Sequence, residues 1–206
     1  MIGVGAATML DVDEMAPMPP FAAWRHRDAR EGFEVAFFQA KGAGMRVEGC
    51  TTAIQDGVAF AVRYAIEVDE GWRTRRARVW GHSPGGAGAV DLEADADGRW
   101  LVDGARAAHL QDCRDVDLEL SAFTNSLPVR RLRLAPGEEA EAPAAYVRAL
   151  DLGVERLEQR YLRGGETSEQ RYEYSAPAFE FRCMLSYDGA GLVLDYPGIA
   201  TRAAPA

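Results

Sequence analysis

Lysine is almost missing from this 206-residue chain. Lys41 is the only one, so arginine carries nearly all of the positive charge. Acid outnumbers base, 32 Asp and Glu against 23 Lys and Arg, for a formal charge of −9. That sign excludes a protein that coats nucleic acid or an anionic membrane with its whole surface, but not a local basic patch. Cysteine is scarce: Cys50, Cys113 and Cys183 are odd in number and form no CxxC spacing. This argues against a disulfide framework and a cysteine zinc site, and fits a reducing compartment. Long apolar runs are lacking too, none approaching the roughly 20 residues that span a bilayer. Residues 1–10 are apolar, but no basic residue precedes them and they run into Asp11, Asp13 and Glu14, unlike a signal peptide. A cytoplasmic protein is expected.

What is present describes an ordinary soluble domain, 48 % apolar and 27 % charged. The length suits one domain with a core of its own. Residues 1–20, ending in the MAPMPP linker at 15–20, are expected to be a tail, and 203–206 another.

Period-two patterning dominates, which predicts a mainly antiparallel all-β fold. At 58–69, Val58, Phe60, Val62, Tyr64, Ile66 and Val68 share one parity, the mark of a half-buried strand. Phe33, Val35 and Phe37 alternate with Glu34, Ala36 and Phe38; a weaker strand at 45–54 follows a turn at 41–44. A strand at 72–80 follows the turn at 69–71. The glycine-rich stretch 83–88 reads as a loop, 90–94 as a strand, and Asp97-Gly98 as a hairpin turn into 100–102. Residues 146–162 fit either a helix, weakened by Gly153, or two short strands.

Two hairpins can be registered. Strands at 116–123 and 129–134, joined by the turn at 124–128, would set Leu120 opposite Leu132, Glu119 opposite Arg133 and Arg130 opposite Ala122. Strands at 179–187 and 192–196 would set Tyr187 by Leu192 and Leu185 by Leu194.

Chemistry is thinly marked. His26, His82 and His109 lie far apart without HxH or HExxH spacing, so no metal is expected. His26, between two arginines, reads as a surface residue, His82 as a loop residue and His109 as structural. There is no GxSxG elbow, and Ser83 beside His82 would point away from it. The glycine stretch lacks a phosphate-binding lysine. Asp115, Asp117 and Glu119 share a strand face with a repeat of about 6.6–6.8 Å. Asp115 and Asp117 could flank a scissile bond with an arginine nearby, as in a hydrolase. The expected reading is instead a solvated face balanced by Arg131 and Arg133.

The anomaly is arginine on apolar faces. Trp72, Thr74, Arg76, Arg78 and Trp80 share a parity, and Arg130 shares one with Leu132 and Leu134. An inward arginine needs an acid, carbonyls or a bound anion. Either these are core ion pairs or stems lying on apolar surface, or they hold an anionic head group at the mouth of an apolar cavity. The candidate ligand-binding set is Arg130, Arg76, Arg78, Trp72, Trp80, Tyr64, Phe60 and Asn125.

The run DCRDVDLELSAFTNSLPVRRL at 112–132 resembles the signature of a bacterial glycolipid-binding family, once a domain of unknown function. Trp24 with Gly32 and Glu34, DEGWRTRR at 69–76, QRY at 159–161 and GLVLDYPG at 191–198 support it, so that the resemblance covers residues 21–202 as a single domain. It implies a strongly curved antiparallel sheet or open half-barrel, similar to lipoprotein carriers, with at most one or two short helices. It implies an apolar concavity suited to acyl chains and brings no agreed catalytic residues and no cofactor. The leading expectation is a non-enzymatic binder of a lipid, glycolipid or other amphiphile, without nucleic acid or membrane span. The alternatives are the hydrolase and a protein-interaction domain.

Overall fold

The computed structural model describes residues 15–28, 30–165 and 170–203. β1 (Phe21–His26), β2 (Glu31–Lys41), β3 (Gly44–Gln55), β4 (Val58–Val68), β5 (Thr74–Ser83) and β6 (Gly86–Ala94) form a meander of long strands. Short β7 (Trp100–Val102) and β8 (Ala105–Arg106) extend it. There follow β9 (Asp115–Leu118), the helix α1 (Ser126–Leu132), β10 (Glu139–Glu141), β11 (Ala144–Val147), β12 (Val154–Leu157) and β13 (Arg160–Arg163). β14 (Gln170–Ala176), β15 (Phe181–Tyr187), β16 (Val193–Tyr196) and β17 (Ala200–Arg202) complete the chain. Fourteen strands make one antiparallel sheet in the order β10-β13-β14-β15-β16-β17-β1-β2-β3-β4-β5-β6-β7-β8, which does not close on itself. A second sheet, β12-β11-β9, has β9 parallel to β11.

Period two in the sequence becomes two faces in the sheet. Phe60, Val62, Tyr64 and Ile66 of β4 are all buried, joined by Ala36 and Phe38 of β2 and Val79 of β5. Val116, Leu118, Phe123, Leu127 and Val147 come down onto them from the small sheet and its following segment, so the middle of the hollow is filled by the chain's own side chains. Each large side chain buried there contributes roughly 1.5–3 kcal/mol. A second cluster, rich in tyrosine (Tyr161, Tyr172, Tyr174, Tyr187, Tyr196), lies under β13–β16.

Two glycines are dictated by close approach. A methyl on Gly32 would lie 1.9 Å from the Thr52 carbonyl oxygen, and one on Gly49 would lie 2.1 Å from the Tyr64 ring. A bulge between Glu67 and Val68 sets Arg76 opposite Glu67 but Thr74 opposite Val68. The extra residue switches parity within the expected 72–80 strand: Thr74, Ala77 and Val79 are buried, whereas Arg76 and Arg78 face outward.

Several expectations are corrected. The 116–134 hairpin does not form: β9 pairs with β11, and residues 126–132 are helical. Pro128 is the third helical residue, within the first turn where a missing N–H costs nothing. Arg133 ends the helix in the left-handed region (φ 47°), donating its N–H to the Val129 carbonyl. The hairpin expected from 179–187 and 192–196 forms as β15 and β16, but with a shifted register, Tyr187 opposite Val193 instead of Leu192 and Ser186 opposite Asp195 across a bulge. Residues 146–162 resolve into strands. The glycine stretch is mostly strand, Gly86–Gly88 pairing with Ser83–Gly81 in a tight hairpin. Of the expected tail, residues 1–14 lie outside the described residues. Residues 15–20 are laid against the sheet by Ala16 N–H to the Gly189 carbonyl (2.8 Å) and Phe38 N–H to the Pro20 carbonyl (3.0 Å).

Candidate ligand-binding site

The eight residues singled out in the sequence fall in four places. Phe60 and Tyr64 are core. The Tyr64 hydroxyl donates to Glu34 Oε1 (2.7 Å), which also accepts from Ser121 Oγ, while Glu34 Oε2 accepts from Ala122 N–H (2.7 Å). Glu34 is fully buried, and loss of hydration raises its carboxyl pKa against those donors. Arg76, Arg78 and Trp80 lie on the outer face of β5 instead of an inward one. Arg76 pairs with Glu93, and Arg78 with Asp91 at 3.5 Å. The guanidiniums of Arg63 and Arg78 stand 4.4 and 5.2 Å from the centroid of Trp80. Exposed pairs of this kind hold little free energy.

Trp72 and Arg130, 58 residues apart in sequence, do meet. Trp72 sits at φ 61° in a turn organised by Asp69, whose Oδ1 accepts from the N–H groups of Gly71 (2.9 Å) and Arg73 (3.0 Å). Arg130 comes from α1 and stands over the indole, Cζ 4.0 Å from the centroid. It is 8 % exposed. Its Nη1 donates to the Ala190 carbonyl and its Nε has no partner. Among the described residues no carboxylate lies within ion-pairing distance of it. Burial, helped by Arg133, depresses its pKa to about 10, with Asp188 acting against that. Both residues line an open groove of about 600 Å³, walled by Phe38 and Met45 on the sheet and by Pro17, Met18 and Pro20 of the N-terminal segment.

Asn125 lies elsewhere, in a cleft of about 240 Å³. Its Oδ1 accepts from the Tyr161 hydroxyl (2.9 Å), and its carbonyl accepts from that of Tyr187 (3.2 Å). Asp117 and Glu119 line the same cleft, with Arg30, Tyr146, Tyr174 and Tyr196. Asp117 accepts from Thr124 Oγ1 (2.8 Å) and Gln159 Nε2, yet burial still drives its pKa up to about 6. The carboxylates are therefore not a solvated face. Asp115, 1 % exposed, is gripped by Arg131, Nε at 3.1 Å from both oxygens and Nη2 at 2.6 Å. Asp115 does not line the cleft, so it offers no second open acid beside Asp117. Arg133, expected to balance these acids, is the residue that ends α1.

The histidines also move from their expected places. His26 is buried on the same side of β1 as Trp24, 2.7 Å from Thr51 Oγ1, and burial lowers its pKa to about 4. His82 is exposed within β5, and His109 is exposed with Nε2 3.3 Å from the Val154 carbonyl. All three cysteines are free thiols, and burial pushes Cys113 up to about 11. Sequence reasoning missed Arg30, Tyr146, Tyr174 and Tyr196. The signal available was the tyrosine density after residue 146, including the alternating Tyr172-Glu173-Tyr174.

An open, curved antiparallel sheet with packed side chains in its hollow and clefts left beside that packing defines a β-barrel-like fold. No described helix is long and apolar enough to cross a membrane. The family model described as "Putative glycolipid-binding" matches residues 21–202, and the chain belongs to that family. A crystal structure of a DUF1089 family protein from Pseudomonas aeruginosa is similar over 98 % of this chain and 99 % of that one, at 26 % identity and a TM-score of 0.70. A β-barrel-like protein of the domain of unknown function DUF1849 from Brucella abortus shares the fold at 9 % identity and a TM-score of 0.51, over 88 % of this chain and 93 % of that one. No curated protein matches.

Proposed function

We propose that this protein binds an amphiphile in the groove between Trp72, Phe38, Met45 and the N-terminal segment, holding the anionic end on Arg130, and does not transform it chemically. The observation that carries this reading is a buried arginine without a carboxylate partner, lying on the rim of an apolar groove of about 600 Å³. That volume is within the usual range of about 300–1,000 Å³ for small-molecule sites. Each methylene buried there gains roughly 0.8 kcal/mol, offset in part by the costs of association and ordering. A carboxylate or phosphate oxygen on the guanidinium adds a charge-assisted bond of roughly 1.5–3 kcal/mol. The family's description names a glycolipid, which is an amphiphile by constitution.

Titration calorimetry with dodecanoate, dodecanol and dodecyltrimethylammonium tests this. Dodecanoate is expected to bind more tightly than the other two, and Arg130→Gln to weaken dodecanoate by ~10- to 100-fold while leaving dodecanol unchanged. Equal affinity of parent and variant for dodecanoate, or no binding of any of the three, removes the groove from the function.

A further inference from the structure

We infer that the tyrosine-lined cleft over β9 is a second binding site, built for a neutral pyranose sugar ring. Its support comes from matching surfaces and is independent of the Arg130 groove. Tyr146, Tyr174 and Tyr196 supply aromatic walls, extended at the mouth by Phe179 and Phe181. These rings are already arranged around one another, Tyr146 and Phe179 with centroids 5.5 Å apart, Tyr174 and Tyr196 6.0 Å apart. An aromatic face carries negative charge density and attracts the C–H face of a pyranose, which is apolar and faintly positive. A flat ring with polar edges suits such walls better than a flexible chain does.

The polar groups at the base decide the charge of the guest. Arg30, 9 % exposed, spends Nη1 on the Glu119 carbonyl (3.1 Å); its Nε has no partner, and among the described residues no carboxylate reaches it. Asp117 and Glu119 line the same space with part of each carboxylate already committed, Asp117 to Thr124 Oγ1 (2.8 Å) and Gln159 Nε2, and Glu119 Oε2 to the Ala149 N–H (2.7 Å), so that a guest meets their remaining lone pairs. An anionic guest would meet these two carboxyls and a cationic one would meet Arg30, so net charge of either sign is penalised. Sugar hydroxyls each donate one hydrogen bond and accept others. They can therefore receive from Arg30 and give to Asp117 and Glu119 within one ring. A guest that leaves such a buried donor unpaired binds more weakly for it. A neutral polyol is the class that satisfies all three. The volume of about 240 Å³ restricts it to a single small ring.

The test is saturation-transfer difference NMR on the whole protein with the methyl glycosides of glucose, galactose and mannose, alongside methyl glucuronide and glucosamine as charged controls. Saturation is expected on the ring C–H protons of at least one neutral glycoside and to be weaker on both charged sugars. Phe179→Ala changes a half-exposed side chain at the mouth and spares the core; it and Arg30→Gln are expected to cut the transfer at least fivefold with unchanged circular dichroism. Arg130→Gln is expected to leave it intact, which separates this site from the groove. Vesicles of phosphatidylcholine with and without a monoglycosyl diacylglycerol distinguish the source of the ring: retention on glycosylated vesicles that free glycoside competes away identifies a lipid headgroup, whereas transfer to free glycosides without retention identifies a soluble sugar. The inference is overturned if no neutral glycoside shows transfer, if Phe179→Ala and Arg30→Gln leave it unchanged, or if a charged sugar binds best.

Discussion

The substitution Asp117→Asn should alter how stability depends on pH. Asp117 is 7 % exposed, and burial holds its carboxyl at about 6 in the folded protein against an ordinary value of 3.8. At about 1.4 kcal/mol per pH unit, that difference corresponds to ~3 kcal/mol. Because the folded state keeps this proton longer than the unfolded chain, the stabilisation is complete below about pH 4 and is lost as pH rises through about 6. The asparagine amide keeps a neutral, hydrogen-bonding side chain between Thr124 and Gln159 and has no proton to lose. The variant should therefore gain on the parent by up to ~3 kcal/mol between about pH 4 and 7.5. The parent alone would conceal this. His26, lowered to about 4, gives stability that is lost as pH falls from 6.5, with the opposite slope over the same interval. The difference between the two urea-unfolding profiles, followed by far-ultraviolet circular dichroism, cancels His26 and isolates Asp117. Parallel profiles across that interval would refute the reasoning.

Three further outcomes are expected. Asp115→Ala leaves the Arg131 guanidinium without its buried partner and should cost about 3–5 kcal/mol, measured as a shifted urea midpoint; a loss under about 1 kcal/mol would mean that solvent reaches the pair. His26→Gln should remove the loss of stability on acidification below about pH 6.5 while conserving a bond to Thr51; an unchanged acid limb in thermal melts counts against it. Gly32→Ala pushes a methyl onto the Thr52 carbonyl and should destabilise by about 1–3 kcal/mol or more; a melting temperature equal to the parent's would show that β2 and β3 part without strain.

The long strands were legible because one face of each meets the core, so that alternation in β4 maps directly onto burial. Segments buried on every side were not. Asp115, Val116, Asp117 and Leu118 are all buried, and their alternation of acid with aliphatic looks from sequence like a wet face opposite a dry one. Their partners, Arg131, Thr124 and Gln159, are carried by a helix, a turn and a loop whose positions no local pattern gives. The arginine anomaly was half readable: Arg130 does lie on an aromatic surface without an acid, but a single bulge turned Arg76 and Arg78 outward. Arg30 had no local signal, and the tyrosine density after residue 146 did not say which rings would meet, because the cleft draws on β9 and β11 of the small sheet and on β14 and β16 of the large one, and only the packing of one sheet on the other brings them together.

That order has a further consequence at its two ends. The ladder finishes in β10 with three residues and in β8 with two. A foreign strand seeking free amides and carbonyls finds a foothold of only about one or two bonds on either of these terminal strands. The outermost strands of the unclosed ribbon of fourteen thus offer little backbone to a strand from another copy.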